Sequence, residues 1–126
     1  HFVNSHFMHP DDLLDEDRGA ALGWEKLRAR LDEYMTWMNE SAPSLRNLTG
    51  SELAGAVQRY GALTVDKEIT DQEIRIHLGN FYDEAYLMVR INDGTPGQVT
   101  GGELTNVTGN LYLLHAQESE VVIERN

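Results

Sequence analysis

Glu73-Ile-Arg-Ile-His-Leu-Gly79 is the stretch whose pattern decides the fold of the larger part of this chain. Ile74, Ile76 and Leu78 alternate with Glu73, Arg75 and His77. Apolar residues at every second position describe a strand with one face buried and the other in water. The same period runs outward on both sides. Leu63 and Val65 begin it, and Leu87, Val89 and Ile91 repeat it, with Tyr86, Met88 and Arg90 opposite. Asn92-Asp93-Gly94 is strong turn chemistry, and Gly97, Gly101, Gly102 and Gly109 punctuate short strands around Val99 and Leu104–Val107. Leu111–Ala116 is apolar on both faces, as in a central strand, and Val121–Glu124 closes the chain. Six or seven short strands with closely spaced turns predict an antiparallel β-sandwich, or partial jelly roll, over residues 62–126.

Before Gly61 the period is helical. Leu22, Trp24, Leu27, Leu31, Met35 and Met38 fall at spacings of three and four, widened by Tyr34 and Trp37. The pattern predicts an amphipathic helix over residues 22–39 that stops before Pro43 and packs Trp24 and Trp37 into a core. Thr49 and Glu52 have capping-box spacing, in which each side chain satisfies the other's backbone amide. A second helix therefore starts there, with Leu53, Ala54, Val57 and Tyr60 on its apolar face and Gly61 as a natural stop. The fold class expected is α+β, with a boundary near Gly61 between residues 1–61 and 62–126.

The opening stretch, His1–Asp17, reads HFVNSHFMHPDDLLDED. Residues 1–9 suit a strand that ends near His6 to His9, because Pro10 biases His9 away from helical geometry. Three histidines crowd against aspartates here, and no other part of the chain concentrates as much proton-transfer potential. On an extended strand, positions three apart face opposite sides, so His6 and His9 do not converge on one metal ion. A single histidine at a strand end needs only a neighbouring carboxylate, Asp11 or Asp12, to orient it for proton transfer. The plainer reading of the residues alone is a pair of ordinary polar histidines.

Composition narrows the partners. Ten basic against 21 acidic residues give a formal charge of −11, which leaves no basic stripe to neutralise nucleic-acid phosphates or an anionic membrane surface. No run of apolar residues is long enough to insert into a bilayer. The absence of cysteine removes disulfides and thiolate metal sites. Gly101-Gly102 lacks the strand-to-helix setting of a phosphate loop, and no Ser-His-Asp set assembles without arbitrary choice. Phe81 and Tyr82, in the Asn80–Asp83 loop, are candidates for stacking on a sugar ring, against the simpler reading of a loop packed onto its sheet.

SHFMHPDDLLDEDRG (residues 5–19) and GWEKLRARLDEYMTWMNESAPSLRNLTGSELAGAVQRY (residues 23–60) together resemble the end of a polysaccharide-deacetylase-type barrel. The nearest likeness is to the large bacterial deacetylase–hydrolase proteins of Pel-type exopolysaccharide systems. The likeness covers residues 5–60 by motif and the sandwich only by arrangement. It implies that residues 1–61 are the last strand and helices of a deformed (β/α) barrel, followed by the sandwich. It also implies a periplasmic or secreted bacterial protein that N-deacetylates an amino-sugar polysaccharide. In such enzymes an Asp and two His early in the barrel hold a divalent metal, usually zinc, and a late histidine protonates the departing amine. The resemblance makes His6 or His9 that histidine, with His6 slightly favoured; with such a substrate, Asp11, Asp12, Phe81 and Tyr82 are the candidate substrate-binding residues. The metal-bearing segment is missing from this sequence, and His77 and His115 are poor substitutes for it. The chain is thus expected to be a fragment, inactive alone and without a metal of its own. The expectation from a different class is a non-enzymatic carbohydrate- or protein-binding sandwich.

Overall fold

The structure, a computed structural model, describes Ser5 and residues 9–126. The expected strand over residues 1–9 and the candidate His6 therefore lie outside the described residues, apart from Ser5 and His9. The chain divides into two compact units, His1–Leu45 and Arg46–Asn126.

In the first unit a short 3-10 turn, Pro10–Leu13, leads through further turns into helix α1, Gly23–Ser41. Proline suits the first position of such a turn because that amide has no partner to lose. The amide of Gly19 donates to the Asp12 carbonyl at 3.0 Å, and that of Leu22 to the Gly19 carbonyl at 3.0 Å, which folds the acidic stretch back toward the helix start. Helix α1 ends at Ala42, just ahead of Pro43, as the sequence predicts. The expectation that Trp24 and Trp37 are core residues is corrected, since they are 52% and 59% exposed. Periodicity predicts that a helix has an apolar face but not that a partner covers it. Beside α1, the described residues of this unit supply only the short 3-10 helix Pro10–Leu13 and the turns that follow it, with no strand.

The second unit is α+β. Helix α2 spans Gly50–Ala62, and seven strands follow among the described residues: β1 (Thr64–Ile69), β2 (Glu73–Gly79), β3 (Ala85–Arg90), β4 (Pro96–Thr100), β5 (Gly102–Thr108), β6 (Leu111–Ala116) and β7 (Glu120–Arg125). The change of period near Gly61 marks the passage from α2 into the strands, inside this unit. The predicted capping box is formed: Glu52 accepts from the Thr49 amide at 2.7 Å, and Thr49 Oγ1 accepts from the Glu52 amide at 3.4 Å. Replacing Thr49 with alanine is expected to cost about 1 kcal/mol, read as a lower urea midpoint with an unchanged slope. The Thr49 amide, and then its hydroxyl, hold the Glu52 carboxyl below the usual carboxylate range. That contribution is complete above the ordinary glutamate value and is lost as the pH falls through the lower folded-state value.

Two antiparallel sheets form, one in the order β1-β2-β7-β4 and the other β3-β6-β5. Ile74, Ile76, Leu78, Val121 and Ile123 of the first sheet join Ala85, Leu114 and Ala116 of the second, with Ile91, in one buried cluster. A core built from the inner faces of two sheets is the packing of a sandwich. Each fully buried Leu, Ile or Val contributes roughly 1.5–3 kcal/mol relative to an exposed one. The alternation that predicted β2 is the alternation of its burial: Ile74, Ile76 and Leu78 are buried, and Arg75 and His77 are exposed.

The chain crosses from one sheet to the other at Gly101, between β4 and β5. Its φ of +79° is in the left-handed region. A side chain at this position would also meet the Glu120 carbonyl. The Gly101 carbonyl accepts from the amides of Gln117 and Glu118 at 2.9 and 3.0 Å, which ties the corner to the β6–β7 turn.

Candidate functional site

In the first unit the structure brings His9 and Asp11 together. His9 is extended, with φ −99° and ψ 137°, as the residue before a proline should be. Its Nδ1 lies 2.7 Å from Asp11 Oδ1, with the two side chains 54% and 68% exposed. A carboxylate on Nδ1 selects the tautomer and fixes the plane of the ring, the arrangement that orients a histidine for proton transfer. Asp12 has another task. Its carboxylate accepts from the His9 amide at 3.0 Å and pairs with Arg18, which also meets Asp15 at 3.4 Å. The Arg18 guanidinium first, and the His9 amide second, hold the Asp12 carboxyl below the usual range. Asp12 thus anchors the turn that positions His9. This contribution is present above the ordinary aspartate value and is lost as the pH falls through the lower folded one.

Phe81 and Tyr82, both named from sequence, have different surroundings. Phe81 packs against the core of the second unit. Tyr82 is 74% exposed in the β2–β3 loop. Asn80 and Asp83, on either side of the pair, take positive φ values of 56° and 66°, which Asn and Asp tolerate better than other non-glycine residues.

Sequence reasoning missed a cluster that joins α2, the segment before it and the β3-β6-β5 sheet. Glu84 is its centre. Oε1 accepts from Arg59 Nη2 at 2.9 Å and Arg46 Nη1 at 3.5 Å, and Oε2 lies 3.1 Å from His115 Nε2. The Tyr86 ring meets both the His115 ring, stacked at 4.3 Å, and the Arg46 guanidinium, 3.8 Å from its centroid. The Glu84, Arg46, Arg59 and His115 side chains are between 24% and 28% exposed, so solvent screens this network less than the open pairs elsewhere. His77, the other sheet histidine, pairs with Glu120 at 3.1 Å on an open surface.

Removing the Glu84 charge leaves two guanidiniums and an imidazole facing one another. Glu84→Gln is therefore expected to lower stability by about 1–3 kcal/mol, below the cost of breaking a fully buried pair because water reaches part of each group. Glu120→Gln, at the exposed pair, serves as the control and should leave the urea midpoint unmoved. Chemically the cluster fastens α2 to the sheet and fixes the loop that carries Tyr82. Among the described residues, no group of three His, Asp or Glu side chains is placed to hold a metal ion. No helix among them is long and apolar enough to cross a membrane.

Neither a curated protein nor a solved structure matches the chain. A family model described as an uncharacterised protein conserved in bacteria (DUF2194) matches residues 1–113, and the chain belongs to that family.

Proposed function

We propose that this chain is the C-terminal portion of a metal-dependent N-deacetylase of an amino-sugar polysaccharide, acting in bacterial exopolysaccharide or biofilm processing in the periplasm or outside the cell. On this reading residues 1–61 complete a deformed (β/α) barrel, and residues 62–126 are the jelly-roll-like β-sandwich that follows in sequence. The observation that supports it is the His9–Asp11 pair, a histidine held by a carboxylate at 2.7 Å within the motif that resembles a deacetylase barrel end. Cleaving an acetamide requires a proton for the departing amine nitrogen, and an oriented imidazolium supplies one. On this reading the divalent metal, zinc in the enzymes resembled, is held elsewhere in the parent protein.

The test is amine release from an N-acetylated amino-sugar polymer by the full-length protein and by this chain alone. Activity in the first and none in the second is expected. An inactive full-length protein, or an active isolated chain, overturns the reading. The exposed Tyr82 favours a second one, a carbohydrate-binding sandwich without chemistry of its own.

A further inference from the structure

Two tyrosines are exposed on segments of the second unit that are tied to each other. Tyr82 in the β2–β3 loop is 74% exposed, and Tyr60 in the last turn of α2 is 61% exposed. Arg59 Nη2 donates to Glu84 Oε1 at 2.9 Å, and Asn80 Nδ2 donates to the Ala62 carbonyl at 3.1 Å. Tyr60 thus lies between Arg59 and Ala62, and Tyr82 between Asn80 and Glu84. The loop is further fixed by Phe81 in the core and by the Glu84 amide, which donates to the Tyr82 carbonyl at 2.8 Å. An aromatic carried on a fixed backbone spares a stacking ligand the cost of ordering the loop.

The charge around the loop narrows the ligand. Asp83, beside Tyr82, is exposed, and the chain carries −11 overall. A ligand suited to such a surface has a flat apolar face for the phenol rings and a cationic group for the carboxylate. A sugar ring bearing a free amine has both.

We propose that Tyr82, with Tyr60, forms a stacking platform for an amine-bearing sugar chain, whose ammonium groups meet Asp83. The inference rests on the amino-sugar reading and names the deacetylated polymer as what the sandwich unit retains. It is tested with the whole chain by titration calorimetry, using a glucosamine hexamer and an N-acetylglucosamine hexamer, with a tetralysine peptide as the control for charge alone. The glucosamine hexamer is expected to bind most tightly. Tyr82→Ala should weaken it about tenfold and Tyr82→Phe should not, because stacking needs the ring and not the hydroxyl. Asp83→Asn should weaken the glucosamine hexamer and leave the acetylated one unchanged.

The proposal is overturned if the wild-type chain binds neither sugar, if Tyr82→Ala binds as the wild type does, or if tetralysine binds as tightly. Both tyrosines are solvent-exposed, so an unchanged circular dichroism spectrum separates lost binding from lost folding. Amine release by the full-length protein is scored separately. Sugar binding without deacetylation would sink the enzymatic reading and leave the platform standing, and the reverse result would do the opposite.

Discussion

Replacing His9 with asparagine in the full-length protein is expected to slow amine release by about 10²–10⁴-fold, the usual contribution of a positioned general acid. The loss should appear in kcat with KM little changed, because a proton delivered to the leaving nitrogen stabilises the transition state and not the bound substrate. Asp11 lies 2.7 Å from His9 Nδ1, yet both groups are more than half exposed. An exposed pair of this kind is worth less than about 1 kcal/mol, so Asp11→Asn should slow the reaction by less than about fivefold. That ordering, a large effect at His9 and a small one at Asp11, separates proton transfer from simple loss of charge. Asp12→Asn acts through the turn: it loses the charge and keeps a single acceptor oxygen, so it cannot both accept from the His9 amide and pair with Arg18 as the carboxylate does. If His9→Asn keeps the full rate and His6→Asn loses it, the acid is His6 and the role given to His9 falls.

Much of the fold was legible in the sequence, for a local reason in each case. A sheet with one solvated face records its burial as alternation, and β2 and β3 could be read that way. The Thr49–Glu52 box is a contact across three residues, so its spacing identified it. Gly101 was legible as a turn but not as a point where the chain changes sheet. That depends on β4 pairing with β7 while β5 pairs with β6. The Glu84 cluster had no local signal. His115 is 31 residues from Glu84, and it meets Tyr86 because the β3–β6 register sets the two opposite each other. Arg46 and Arg59 are on neither strand. A sequence period reports which face of an element is apolar, and pairing between distant elements decides what that face meets. For the same reason the stripe on α1 was visible while the exposure of Trp24 and Trp37 was not.

Strand β6 is where that limit can be tested with the largest effect on stability. Its sequence is apolar on both faces, so composition alone does not say which leucine matters. The register does. Leu114 is fully buried and sits between Leu87 of β3 and Leu104 of β5, beneath the facing sheet. Leu113, one residue away and on the opposite face, is half-buried. Leu114→Ala removes buried methyl groups that neighbours pinned in two hydrogen-bonded strands cannot move to replace. The transfer loss and the cavity therefore add, to about 2–5 kcal/mol. Leu113→Ala leaves a gap that water fills, and the expected cost is about 1 kcal/mol or less. For a unit of this size, each kcal/mol moves the melting midpoint by roughly 4–8 °C, so the two variants should melt at least about 4 °C apart. A Leu114→Ala protein that melts with Leu113→Ala would mean that the inner faces of the two sheets do not share this core. The rigid base for the Tyr82 loop, which packs Phe81 against that same core, would then be lost with it.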